Sequence, residues 1–312
     1  MPPNLKKIIY GACLWGLKFP IAIADIEPTF RQARKIFDES GFLGQCSVEL
    51  FAASEPIPTA DIHYAAAVRE ASQENNFVPI TMIFRPKPSP SMVSSSRKKR
   101  KEAVEQCGRS IELAVIATPQ QHPVIVNGPF QLVHGAGKIE TITPTRKKYL
   151  VDSLKHVAEK LEEKARAYGA LEPLRRSETK MPSQADFWLD VLDRVKSPRL
   201  GLLVDTVHFY EGNGGSEEML KALEMVCQAR RCFGVHLSNY PSRVEWEPSG
   251  IAKYTPEILR ILIEHKCKVP VDYEGFDTCL DKLVGLQRNP NQKNQTEVFA
   301  RSMRYLASHV KQ

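Results

Sequence analysis

No apolar run in this 312-residue chain approaches the roughly 18 residues that a membrane-spanning helix requires, so no membrane association is expected. The seven cysteines are scattered singly from Cys13 to Cys279 without a C-x-x-C spacing, an odd set that fits neither a disulfide framework nor a zinc knuckle. A long Gly/Ser linker is missing too, which argues against two flexibly joined domains. The early apolar stretch MPPNLKKIIYGACLWGLKFPIAIADIEP is broken by Lys18, Pro20 and Asp25 before any small-residue cleavage pattern, and reads as a first strand and loop, not as a secretory leader. A reduced, cytoplasmic setting is expected, in which the N-Q-T sequon at Asn294 stays unmodified.

Charge is less evenly distributed. Lys and Arg outnumber Asp and Glu by 43 to 36, a net +7 that would suit an anionic partner. Much of the excess sits in SSSRKKRKEAVEQ, where Arg97 to Lys101 read either as a nuclear signal or phosphate contact, or as a solvated loop and first helical turn, the commoner fate of such a run.

What the chain has in abundance is alternation. KKIIYGACLW, QCSVELFAAS, VPITMIF, HPVIVNGPF, ALEPL, LGLLVDTVHF, CFGVHLSNY and KVPVDYEGF read as strands, and each is followed by an amphipathic stretch. EPTFRQARKIFDESG is a helix closed by Gly41, and TPTRKKYLVDSLKHVAEKLEEKARAYG reads as one long helix from its Thr-Pro start to Gly169. Eight strand–helix units with no intervening hairpin predict a closed (β/α)8 TIM barrel as a single domain over residues 1–312, with a doubly wound open sheet as the alternative.

A barrel gathers the C-terminal ends of its strands on one face, so polar residues that end apolar strands become neighbours regardless of their separation in sequence. Four successive strands supply them: ALEPL presents Glu172, LGLLVDTVHF presents Asp205 and His208, CFGVHLS presents His236 and VPVDYEGF presents Glu274. Alone, each has a structural reading, the histidine as a hydrogen-bonded strand end and the aspartate as a helix cap. Together, three carboxylates and an imidazole suit one divalent ion, Mn²⁺ before Mg²⁺, Co²⁺ or Zn²⁺. Tyr10, Trp15, Phe209, Tyr210 and Trp246 lie near predicted strand ends and are as consistent with packing as with a pocket wall.

These stretches carry a resemblance. ALEPLRRSET is similar to the LEPLNRFET of the xylose-isomerase-like barrels that include sugar phosphate isomerases, ketose 3-epimerases, hydroxypyruvate isomerase, inosose-processing enzymes and the endonuclease IV branch. GLLVDTVH resembles that superfamily's GLxLDTxH, GVHLSNYPSR its HVxDxxR, and VPVDYEGF its closing strand, so the second half matches closely and the first half in outline. The resemblance implies that Glu172, Asp205, His236 and Glu274 hold the metal, that Glu172 and Glu274 exchange protons with a substrate carbon, and that Glu178, His208 and Arg243 contact substrate. It implies an isomerase or epimerase acting on a ketose, hydroxy-ketone or polyol-type small molecule through a metal-stabilised enediolate, in a family where homo-oligomers are common.

Three other readings remain in view. A dehydratase of the inosose type shares the same intermediate. An endonuclease IV-type nuclease needs further histidines, yet the fourth strand ends in Asn127 and residues 240–251 contain neither Asp nor His, so nucleic acid is not the expected partner. A non-catalytic metal-binding subunit would hold the ion without turnover.

Overall fold

The computed structural model describes residues 7–14, 21–51, 62–82, 91–128, 142–175, 181–240, 246, 249–275 and 295–310. Its strands are β1 (Ile9–Cys13), β2 (Cys46–Phe51), β3 (Phe77–Met82), β4 (Val124–Gly128), β5 (Ala167–Leu171), β6 (Leu200–Asp205), β7 (Cys232–Leu237) and β8 (Pro270–Tyr273). All pair in parallel in chain order and β8 returns to β1, closing the (β/α)8 barrel that the alternation predicts. The helices are α1 (Ile26–Ser40), α2 (Ile62–Glu74), α3 (Arg97–Ala117), α4 (Pro144–Glu162), α5 (Ala185–Val195), α6 (Thr206–Asn213), α7 (Ser216–Gln228), α8 (Thr255–Glu264) and α9 (Gln295–Val310). No helix among the described residues is long and apolar enough to cross a membrane.

Local signals explain most boundaries. α1 buries Ile26, Phe30, Ala33, Ile36 and Phe37 at helical spacing and stops where Gly41, at φ 96°, donates its N–H back to Asp38 and Phe37. α4 starts at Thr143, whose hydroxyl accepts the N–H of Arg146, with Pro144 in the first turn. The basic run Arg97–Lys101 is the first turn of α3, capped by Ser96. Arg100 is tied down there, donating to the carbonyls of Ser94 and Ser95 and lying over the Tyr149 ring at 4.1 Å.

Two boundaries differ from the sequence expectation. α4 ends at Glu162, not Gly169, and β5 is Ala167–Leu171 instead of ALEPL. Its alanines and glycine have little strand propensity of their own; the ladder imposes the strand, pairing Ala167 with Val124 and Gly169 with Leu200. β6 stops at Asp205, and the TVHF that reads as its continuation is the start of α6. Thr206, Val207, His208 and Phe209 are all buried, so the apolar–polar alternation of this stretch is one of residue type and not of burial.

Strand side chains face outward and inward by turns. The outward set joins the helices in one large core, while Ile9, Val78, Ile80 and Ile125 form a separate cluster inside the barrel. Polar side chains share the interior with them: Ser47, Glu49, Asn127 and Asp272 are all fully buried. Ser47 Oγ donates to Asp272 Oδ1 at 2.5 Å in the space beside Gly11, where a Cβ would collide with both side chains and with the Ser47 carbonyl. Near the N-terminal end, Phe233 is an extra residue in β7, skipped where the register shifts between Leu202/Cys232 and Leu203/Gly234. Its ring packs on Gly201 and edge-on to Tyr168.

A candidate metal centre at the C-terminal ends of four strands

Asp205 is the last residue of β6, His236 lies one before the end of β7, and Glu172 and Glu274 directly follow β5 and β8. The two glutamates extend the ladders, with Glu172 N–H donating to Gly128 O and Glu274 N–H to Leu237 O. One ligand atom from each of the four side chains lies within 4.8 Å of the others, and all four residues are buried. The structure thus brings together the four residues that the strand-end pattern selects.

Local chemistry holds each one. The Asp205 carboxylate caps α6, Oδ1 accepting the N–H of His208 at 2.8 Å while Oδ2 accepts from Ser238 Oγ at 2.7 Å. Thr206 ties the two strand ends together: its hydroxyl donates to Ser238 O and accepts from Ser238 N–H. Ser238 Oγ also lies 2.6 Å from Glu274 Oε2, yet its single proton can serve only one of these carboxylates at a time.

His208 points back at Glu172. The N–H of Arg175 donates to its Nδ1 at 3.3 Å, which leaves the Nε2 proton facing Glu172 Oε1 at 3.4 Å. His236 has Nδ1 3.6 Å from Glu274 Oε1 and Nε2 against Glu49 Oε2. Burial works against its protonation, but the charges of Glu49 and Glu274 outweigh burial and hold the imidazole well above its ordinary range.

The donor set fits a divalent cation. An ion would offset the like charges that three carboxylates bring to one buried site, and the carboxylate oxygens engaged by protein donors keep a second lone pair for it.

Glu178 and Arg243 lie outside the described residues, as do Trp15 and Asn294. Phe209 and Trp246 are fully buried in the main core, with the Trp246 indole N–H donating to Thr255, so both are packing residues. Tyr10 packs on Phe42, and Tyr210 stacks on Tyr240 at 4.9 Å. Three residues close to the centre escape the strand-end pattern. Glu49 and Asp272 sit within strands, where their only sequence signal is a carboxylate at an inward position of an apolar segment. Asn239 anchors the loop after β7, its Oδ1 accepting the N–H groups of Tyr240, Ile251 and Ala252.

The family model described as xylose isomerase-like TIM barrel matches residues 30–309. The chain belongs to this family. Among curated proteins none matches the sequence. Solved structures align over nearly the whole chain at low identity. A D-allulose 3-epimerase from Methylomonas sp. is 14% identical with TM-score 0.79, covering 99% of each chain. An L-ribulose 3-epimerase is 17% identical with TM-score 0.78, covering 97% of this chain and 96% of its own. A 3-keto-D-glucoside 4-epimerase from E. coli is 15% identical with TM-score 0.66, covering 97% of this chain and all of its own. At such identities the likeness speaks for the shared barrel.

Proposed function

We propose that this xylose isomerase-like barrel is a divalent-metal-dependent isomerase or epimerase acting on a ketose, hydroxy-ketone or related polyol-type small molecule. The observation that carries the reading is the buried cluster of Glu172, Asp205, His236 and Glu274 on four successive strands. The similarity of the barrel to structures named as sugar epimerases supports it. The same reading places the protein in a reducing, cytoplasmic setting, as the odd set of singly scattered cysteines suggests.

The four residues would hold one ion, with Mn²⁺ our first choice among Mn²⁺, Mg²⁺, Co²⁺ and Zn²⁺ for an oxygen-rich set with one imidazole. When bound, the ion supplies Lewis acidity toward a substrate carbonyl. Glu172 and Glu274 stand on strands separated by β6 and β7, so they can address a substrate carbon from two sides, one removing a proton and the other returning it. Return to the opposite face of the same carbon gives epimerisation; return to the neighbouring carbon gives isomerisation. His208 orients the Glu172 carboxylate through its Nε2–H, and Ser238 gives Glu274 a hydroxyl partner that can shift to Asp205 as the charge on Glu274 changes. Glu178 and Arg243 are our candidates for contacts to substrate oxygens, together with His208, whose Nε2–H would be shared between Glu172 and such an oxygen.

Deuterium incorporation tests this reading. The Mn²⁺-loaded protein in D₂O, offered ketoses, ketose phosphates and inososes, should exchange a carbon-bound proton of at least one compound. Glu172→Gln and Glu274→Gln should each lower that rate by about 10²- to 10⁴-fold. Unchanged exchange in both variants would overturn the acid–base assignment, and loss of water without epimer or isomer would move the chain to the dehydratases.

A further inference from the structure

Glu49 lies on β2, against the Nε2 side of the His236 ring, whereas Glu274 Oε1 lies 3.6 Å from Nδ1. Glu49 is fully buried, and its Oε2 takes both the Nε2 side of the His236 ring and the Cys13 thiol, whose Sγ lies 3.3 Å away. Its Oε1 is buried with no hydrogen-bond partner among the described residues. Leaving a carboxylate oxygen in that condition is destabilising, and an apolar side chain would fill the same interior position without that penalty.

To ligate an ion His236 must be the neutral imidazole, with one N–H and one lone pair, whatever charge the carboxylates favour on the ring in the ion-free protein. With Glu49 oxygens against Nε2, the tautomer that places its lone pair there would set lone pair against carboxylate in a solvent-free interior. The other tautomer donates Nε2–H to Glu49 and turns the Nδ1 lone pair toward Glu274 Oε1, 3.6 Å away, one of the carboxylates of the four-residue cluster. The same bond fixes the plane of the ring across the barrel, from β2 to β7.

We infer that Glu49 is a positioning residue for the metal centre: by accepting the Nε2–H of His236, it selects the tautomer and ring orientation that present Nδ1 to the ion. The inference rests on the metal reading above and adds a fifth strand to the construction of the site. The Cys13 thiol completes the arrangement as a weak donor to the same Oε2, its ionisation suppressed by burial and by the Glu49 charge.

The test is Mn²⁺ affinity, read from the free-ion spin-resonance signal without any substrate. Glu49→Leu, similar in volume but without an acceptor, should bind Mn²⁺ about 10- to 100-fold more weakly than the unaltered protein. Glu49→Gln keeps a carbonyl acceptor and should recover part of that loss. Leu50→Ala, a cavity on the outward face of the same strand, serves as the control for destabilisation alone and should leave affinity unchanged. Equal affinity in folded Glu49→Leu and the unaltered protein would overturn the inference, as would an equal loss in Leu50→Ala. Absence of Mn²⁺ binding by the unaltered protein would overturn the metal reading itself, and this inference with it. Should Glu49→Leu fail to fold, ¹⁵N-histidine spectra of the unaltered, Zn²⁺-loaded protein decide: a proton on His236 Nε2 supports the inference, and one on Nδ1 overturns it.

Discussion

His208 Nε2 stands 3.4 Å from Glu172 Oε1 because the far side of the ring, Nδ1, is already occupied by the backbone N–H of Arg175. The helix cap that Asp205 forms on the N–H of His208 sets where that ring sits, so one candidate ligand positions the partner of another. His208→Leu should therefore lower proton exchange by about 10²-fold, the lower end of the range for a single acid–base participant. His208→Gln, which retains an N–H donor, should restore part of it; deuterium incorporation under saturating Mn²⁺ is the measurement.

Ser238 supplies one hydroxyl proton to two carboxylates, Asp205 and Glu274. In the ion-free protein its removal leaves both without this donor. Ser238→Ala should destabilise that form by about 1–3 kcal/mol in urea unfolding. Saturating Mn²⁺ should narrow the difference, since an ion neutralises the charges that the hydroxyl otherwise moderates.

Burial, and after it the charge of Glu49, raise the carboxyl of Asp272 to about 7. In the unfolded chain the same group titrates near ~3.9. A folded-state value above the unfolded one means that the neutral acid favours folding at low pH and that this contribution is lost as pH rises through 7. Asp272→Asn cannot ionise and still offers an oxygen to Ser47. The melting temperature of the ion-free variant should therefore gain on that of the parent as pH rises from about 4 to about 8, with most of the gain complete above 7. A constant difference across that window would show that Asp272 titrates normally.

Gly11 faces the Ser47–Asp272 hydrogen bond with no room for a methyl group, and one of the atoms in the way is the Ser47 backbone carbonyl. Side-chain rotation alone cannot relieve the clash. Gly11→Ala should lower unfolding free energy by about 3 kcal/mol or more, the upper part of the range for overpacked cores, as read from the urea midpoint.

The parts of the site that end strands were legible in the sequence, and the parts within strands were not. Glu172, Asp205, His236 and Glu274 each follow an apolar run, and a closed barrel converts that position into proximity. Glu49, between Val48 and Leu50, reads as a polar interruption of a strand; only the closure of β2 against β1 and the reach across to β7 give it His236 as a partner. The end of β6 misleads for a different reason. In DTVHF the apolar Val207 and Phe209 keep a period of two in residue type although residues 206–209 are all buried, and the helix start is marked only by the cap at Asp205. β5 reads late in the sequence, as ALEPL, because its small residues are extended by their neighbours on β4 and β6.

The extra residue of β7 has a consequence for traffic. Phe233 packs over Gly201 and against Tyr168 near the end of the barrel away from the four ligand residues. In the proposed metal-dependent reading, an ion on those ligands would be reached from the C-terminal ends of the strands, and a substrate seated there would slow its exit. Chelators should strip the resting protein faster than the working one.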